Sequence, residues 1–269
     1  MPSLPGVLKA AKNNGEVYYR ASITFKNKHI SLGSYPYEDS ANEAYLTAGN
    51  ILGDIRYNIE QYEEDQILSF DKWVVLINYR DNGFYFRNPI YLKKNYFIYY
   101  INRKILLKFD IDDLFYYAHH KIMKRGGHLF VSDYGMQVTI LSRYGIKNYA
   151  VSGRDYRFAN GDNTDYRYGN IEIINRYHGV TKSFRKGLPV YTSKIHINGD
   201  YIIGRYSTDT EAAIAYNKAA RLMKDKGISK EFPENYITEI DEIEYARIYH
   251  AVRISKKLRN YDLSLNKNN

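Results

Sequence analysis

The chain of 269 residues contains no cysteine. That absence excludes disulfides and thiolate-bound metal. It contains no apolar run long enough to span a bilayer. Its opening residues, MPSLPGVLKAAKNN, lack the apolar core of a secretory signal. The expectation is a soluble, cytoplasmic protein with no membrane partner. Acid is scarce relative to base: 30 Asp and Glu stand against 39 Lys and Arg, a net charge of +9. Such an excess favours a polyanionic partner. It is spread along the chain, with +1 in residues 1–58, +3 in 59–178, +4 in 179–236 and +1 in the tail. A hydrophobic content of 44% is ordinary for a globular protein. The length suffices for one large domain or two to three small ones. Tyrosine is abundant, at 30 residues. Tyr can stack on bases or bond phosphates. A chain this rich in Tyr, Asn, Lys and Ile is also what AT-rich coding DNA produces, so most of these rings read as core or surface filler.

A short pattern occurs twice. Residues 19–48 read YRASITFKNKHISLGSYPYEDSANEAYLTA, and residues 191–220 read YTSKIHINGDYIIGRYSTDTEAAIAYNKAA. Ile23 matches Ile195. After the hairpin Gly33 matches Gly204, Tyr35 matches Tyr206, Ala44 matches Ala215 and Tyr45 matches Tyr216. The offset slips by one residue at the turn, where related copies tolerate it best.

Each copy has the alternation of a half-buried strand. In the first, Ala21, Ile23 and Phe25 face one way, and Arg20, Ser22, Thr24 and Lys26 the other. Asn27-Lys28 is expected to turn the chain into a return strand with Ile30 and Leu32 inward. Asp39 or Ser40 is expected to cap a helix with Ala41, Ala44, Tyr45 and Ala48 in one stripe. In the second, Ser193, Ile195 and Ile197 face inward, Asn198-Gly199 turns the hairpin, and Thr208 or Asp209 caps a helix over about 210–226 that Gly227 stops. The first strand of each unit begins at Gly6-Val7-Leu8-Lys9 and at Gly179-Val180-Thr181-Lys182.

The Gly-Val start, the Tyr-x-Ala/Ser-x-Ile strand, the Leu/Ile-Gly-x-Tyr strand end and the Ala-Ala-x-Ala-Tyr helix resemble the APETALA2-type DNA-binding domain in its bacterial and phage form. The resemblance covers about 50 residues at each end. It implies a sheet laid in the DNA major groove, with outward side chains on bases and phosphates. Carried over, the contacts implied are Lys9, Arg20, Ser22, Thr24, Lys26 and His29, then Lys182, Arg185, Lys186, Thr192, Lys194, His196 and Arg205. Arg and Lys neutralise phosphate and read guanine. A solvated sheet face is the plainer reading for Ser22 and Thr24. The small net charge of residues 1–58 does not require the first copy to bind DNA.

Between the copies, residues 156–175 resemble the core of homing-type HNH endonucleases. Asn160-Gly161-Asp162, Asp165, Arg167 and Asn170-Ile171 stand in the matching places. The combination of such a core with APETALA2-type domains is common in that family. Its chemistry needs a His base, metal ligands and an Asn that locks the loop. Here Arg157 stands at the metal Asp and Phe158 at the base His, and His178 falls one place before the late ligand. Phe takes no proton and Arg repels a cation. The resemblance therefore implies a degenerate core that retains an Asn-Gly turn, a helix and the loop-locking Asn170, with Arg157 itself on phosphate. The run of residues 137–142 reads as a strand that lacks the family's upstream His.

Asp110, Asp112, Asp113, His119 and His120 form the other acid–histidine cluster. Asp113 and His120 would share a helix face two turns apart, which suits a rebuilt metal site or, more simply, a helix start with a solvated side. Lys124-Arg125-Gly126-Gly127-His128 reads as a basic hairpin turn. Residues 73–79 and 84–86 read as strands without a motif. Residues 239–259, with Ile240, Ile243, Ala246, Tyr249 and Val252 at near-helical spacing, read as an amphipathic helix that docks on the core or pairs two copies of the chain. Residues 263–269 are expected to fray.

The fold expected is α+β. Two small three-stranded antiparallel sheet-plus-helix domains (1–58 and 179–236) flank a degenerate HNH-like, ββα-metal-like central domain (59–178), and 237–269 form a C-terminal helix and tail. The function expected is non-catalytic, sequence-specific binding of double-stranded DNA without a cofactor, in a phage or mobile-element regulator or counter-defence factor. The alternatives are an active nicking endonuclease that uses Mg2+ at a shifted site, and an inhibitor that captures another protein on its basic face.

Overall fold

The computed structural model describes residues 3–262. The fold is α+β, with four three-stranded antiparallel sheets and one two-stranded ribbon among the described residues. No helix among them is long and apolar enough to cross a membrane. The 263–269 tail lies outside the described residues. The chain divides into two compact units, residues 1–140 with Asp162–Asn170, and Leu141–Gly161 with residues from Ile171 onward.

In the first unit, β1 (Val7–Ala11), β2 (Val17–Phe25) and β3 (Lys28–Tyr35) pair in that order. Ala21, Ile30 and Leu32 are buried against α1 (Glu38–Gly53), whose Ala41, Ala44 and Ala48 have no exposure. Three alanines along one stripe let the helix lie close to the strands. The hairpin turns one residue earlier than expected, at Lys26 and Asn27, both with positive φ (44° and 61°), and Lys28 already belongs to β3. Two positive φ values match the strand twist, which is why two-residue hairpins use them. The expected cap is also displaced. Tyr37 takes the cap position without a side-chain bond, while Asp39 and Ser40 both lie within the first turn of α1.

The same core continues past residue 58 into α2 (Phe70–Asn82). Residues 73–79, expected as a strand, are helical. Ser69 caps the start by accepting from Lys72 N–H, Gly83 ends it in the left-handed region, and Trp73 through Tyr79 are all buried. A segment buried on every side shows no polar face, so its apolar run mimics a buried strand. Residues 84–86 form no strand. β4 (Ile90–Leu92), β5 (Tyr96–Tyr100) and β6 (Leu106–Asp110) make the next sheet, with Phe97 and Phe109 stacked at 5.4 Å and Tyr117 4.3 Å from Phe109. Tyr117 belongs to α3 (Leu114–His119). Many tyrosines are indeed filler of this kind: Tyr99, Tyr117 and Tyr216 are among the largest fully buried side chains. β7 (Ile122–Arg125), β8 (His128–Asp133) and β9 (Met136–Thr139) complete the unit, with Gly126-Gly127 as the turn between the first two. The strand expected over 137–142 ends at Thr139, where a 3-10 turn begins.

In the second unit, β10 (Tyr156–Phe158) pairs with β11 (Ile171–Ile173). No helix follows. The chain passes into β12 (Val180–Arg185), which pairs with β13 (Leu188–His196), itself paired with β14 (Asp200–Tyr206). The helix expected to survive from the HNH core is therefore absent here. Ile171, Ile173 and Ile174 are β-branched and offer no helical stripe. The β13–β14 turn is a three-residue loop, 197–199, rather than a two-residue Asn-Gly turn. α4 (Asp209–Asp225) starts at Thr208 with a complete capping box: Thr208 accepts from Glu211 N–H, and Glu211 accepts from Thr208 N–H. Gly227 closes it, donating to Lys224 O.

The expected 239–259 helix is broken in two, α5 (Glu242–Ala251) and α6 (Lys256–Arg259), with Val252 extended between them. Its docking face is Tyr245, Ile248 and Tyr249 rather than Ile243 and Ala246, and Ile243 is 82% exposed. The segment is tied down by Lys218 Nζ on Tyr249 O (2.6 Å) and Val252 O (3.0 Å), and by Ser255 N–H on Ile203 O (2.8 Å).

The two terminal sheets share register as well as sequence. Val7 faces Ala21 and Val180 faces Ser193. Tyr19 faces Tyr35 and Tyr191 faces Tyr206. Each return strand carries a bulge at the matching step: Leu32 of β3 is skipped in the pairing of Ala21 and Ser22, and Ile203 of β14 in that of Ser193 and Lys194. Bulges are reproducible features of a fold and not defects.

Candidate nucleic-acid interface

Cross-strand partners lie on the same side of a sheet, so the register assigns each side chain to a face. On β12–β14 the helix-facing set is Val180, Tyr191, Ser193, Ile195 and Tyr206. The outer set is Thr181, Thr192, Lys194, His196 and Arg205, with Arg185 at the hairpin end. Thr192 sits directly opposite Arg205, and Lys194 opposite Ile202. Five of the residues singled out from the sequence, Arg185, Thr192, Lys194, His196 and Arg205, thus share one face. Lys182 does not: it is paired with Tyr191 on the helix side, with Nζ 5.5 Å from the Phe184 ring. Lys186 occupies the turn itself, at φ 51°.

On β1–β3 the outer set is Leu8, Arg20, Ser22, Thr24, His29 and Ser34. Arg20 is the one full cation among them, and it bonds the Tyr18 hydroxyl at 2.7 Å. Lys9, like Lys182, is on the helix-side register, opposite Tyr19. Lys26 donates to Arg80 O at 3.3 Å, which turns its charge toward its own unit. The first sheet therefore presents a nearly neutral, hydroxyl-rich face, and the second a cationic one.

Two features of the second face have no counterpart in the motif reading. Residues 173–199 contain no acid, while Arg176, Lys182, Arg185, Lys186 and Lys194 fall within them. That signal is legible in the sequence once a charge-free-of-acid window is sought. At the hairpin tip Leu188, paired with Arg185 on this face, is 69% exposed beside Lys186. At the other end, His196 Nδ1 is 2.8 Å from Asp200, and this acid, held below its ordinary value by that bond, offsets the face locally.

A cleft of about 340 Å3 adjoins that end, lined by Tyr149, Arg154, Asp155, His178, Lys194 and His196 among others. Arg154 grips Asp155 at 2.6–3.1 Å. Burial pushes the Asp155 carboxyl up, but Arg154, Val151 N–H and the Asn175 amide outweigh it and hold it below its ordinary value. His178 lies edge-on to Tyr149 and Tyr216, and burial, aided by Arg154, lowers its pKa, so the ring stays neutral. A neutral imidazole in that position can donate one hydrogen bond and accept another, and adds no charge.

The residues of the HNH resemblance take structural roles. Arg157 pairs across the ribbon with Glu172 at 2.6 Å, so its guanidinium already has an anion. Phe158 lies edge-on to Tyr156. Gly161 N–H returns to Phe158 O after Asn160, closing the expected turn. Within the first unit, Asn170 Nδ2 donates to Asp165 O (2.8 Å) and Asp162 O (3.4 Å), which pins the loop. Thr164 and Lys108 hold the Asp162 carboxyl down at about 2. Asp165 is fully buried under a two-pronged Arg167 pair.

Asp113 and His120 do not share a helix. α3 has only six residues, Asp113 lies in the 3-10 turn before it, and His120 is extended after it. Asp113 is fully buried and accepts from the Tyr168 hydroxyl, so it is not a solvated helix start. His120 stacks on Tyr116 at 4.1 Å and faces Asp133 at 3.5 Å. Among the described residues no group of three or more His, Asp or Glu is arranged to hold a metal ion. Family models, curated proteins and solved structures were compared with the chain, and none matches.

Proposed function

We propose that the chain binds double-stranded DNA without cleaving it, through the outer face of β12–β14. The observation that carries this reading is the grouping of Lys194, Arg205, Thr192 and Arg185 on one exposed sheet face within an acid-poor stretch. A twisted two- or three-stranded ribbon fits the major groove, where Arg and Lys neutralise phosphate, Arg can also read guanine, and Thr bonds a phosphate oxygen. The pseudo-nuclease part of the reading is supported by Arg157 on Glu172 and by Phe158 in place of a base. The first sheet, with its hydroxyl-rich face, contributes little electrostatic affinity. The biological role that fits is a phage or mobile-element regulator. Selection of bound duplexes from a randomised pool tests the proposal. Enrichment of a short motif, protected in the major groove, supports it. Recovery of an unenriched pool at moderate salt would contradict sequence-specific recognition.

A further inference from the structure

A second surface, in the first unit, carries a different chemistry. A groove of about 650 Å3 is lined by Lys28, Tyr85, Phe86, Arg87, Phe115 and His119, together with Asn88, Leu114 and Ala118. That volume is in the range of small-molecule sites, about 300–1,000 Å3. No acidic side chain lines it. Lys28 Nζ stands 5.3 Å over the Tyr85 ring. Arg87 is exposed and has no ion pair or hydrogen bond among the described residues. Phe115 is 80% exposed on α3, one turn before His119, whose imidazole lies 4.8 Å from its ring. His119 Nδ1 meets Phe115 O at 2.8 Å. A carbonyl only accepts, so Nδ1 is the donor of that bond.

The Phe115 ring held in water, with the half-buried Tyr85 and Phe86 and two unpaired cations beside it, points to a partner. The cations repel an ammonium ligand, so an aromatic cage for methylated amines does not fit. An acidic peptide would satisfy the charges but leave the ring faces uncovered. A nucleotide supplies both halves, a flat base for the rings and a phosphate for Lys28 and Arg87. We propose that this groove binds single-stranded nucleic acid, with a base stacked on Phe115 or Tyr85 and the adjoining phosphates on Lys28 and Arg87. The inference is independent of the duplex-binding face, which lies in the other unit.

The test is fluorescence anisotropy of a labelled twelve-nucleotide oligo(dT) with the full chain at low salt. Binding is expected, weakened about ten-fold by Phe115→Ala or Arg87→Ala and retained by Phe115→Trp. The Lys194→Ala/Arg205→Ala variant should bind oligo(dT) as the parent chain does while losing duplex, so the two sites fail separately. Phe115 is mostly exposed, so its replacement leaves the fold intact. Absence of oligo(dT) binding, or binding indifferent to both Phe115→Ala and Arg87→Ala, overturns the proposal. Displacement by polyglutamate as effective as by unlabelled oligo(dT) would overturn it in favour of an acidic peptide.

Discussion

Gly6 and Gly179 hold the same place in the two terminal sheets, each at positive φ (74° and 72°), and the same helix tyrosine rests on each. A Cβ at Gly179 would lie 2.5 Å from Lys194 O and from the Tyr216 ring. Neither the backbone nor the packed ring can yield, so Gly179→Ala should cost about 2 kcal/mol or more. Gly199→Ala meets nothing within 4 Å and should be near neutral. Urea midpoints of the two variants check this. At the interface, Arg205→Ala and Lys194→Ala should each weaken duplex binding by roughly ten-fold and reduce the salt dependence by about one charge. Arg157→Ala should leave DNA affinity unchanged, because Glu172 already holds that guanidinium. A loss of affinity there, measured by the same titration, would restore Arg157 to the interface.

Elements built from local signals were legible in the sequence. Thr208 with Glu211 announces α4, and the structure shows both halves of the box. Thr208→Ala should therefore cost about 1 kcal/mol, seen as a lowered melting temperature, whereas Ser40→Ala, whose residue caps nothing, should cost little. The strand faces could also be read, since alternation alone separates Arg20 from Ala21 and Lys194 from Ile195. The edge lysines could not. Lys9 and Lys182 look outward by type, and only the pairing with Tyr19 and Tyr191 assigns them to the other face. α2 was hidden because Trp73 through Tyr79 are buried together, which erases the helical period. The split of the C-terminal helix at Val252 depends on tertiary bonds from Lys218 and Ile203, which no local pattern encodes. His178 links an element to pH. Its pKa is depressed by burial and by Arg154, so the unfolded chain takes the proton first. The stability tied to the neutral ring is complete above about pH 6.5 and falls as pH drops through the folded value. His178→Gln should flatten the decline in urea midpoint between pH 7 and 5.

At the scale of the whole molecule, a repeat divides the labour unevenly. The two sheets keep the same register, bulge and glycine–tyrosine contact, yet one face carries a single Arg and the other a cluster of cations. Shared architecture with divergent surface is what the proposed duplex binding predicts if the second sheet alone makes the charged contacts. The compact units cut across the repeat-and-core layout read from the sequence, because the Asp162–Asn170 loop counts with the first unit through Lys108: Lys108 N–H donates to Thr164 O and Lys108 O accepts from Tyr166 N–H. Such a long-range docking leaves no periodic trace. The most direct measurement is the affinity of the full chain for its selected duplex at salt concentrations from about 50 to 300 mM. Four phosphate contacts from Arg185, Lys186, Lys194 and Arg205 predict a log–log slope near −3.6, falling by about two in the Lys194→Ala/Arg205→Ala variant. A slope near zero, or one unchanged in that variant, would contradict DNA binding through the β12–β14 face.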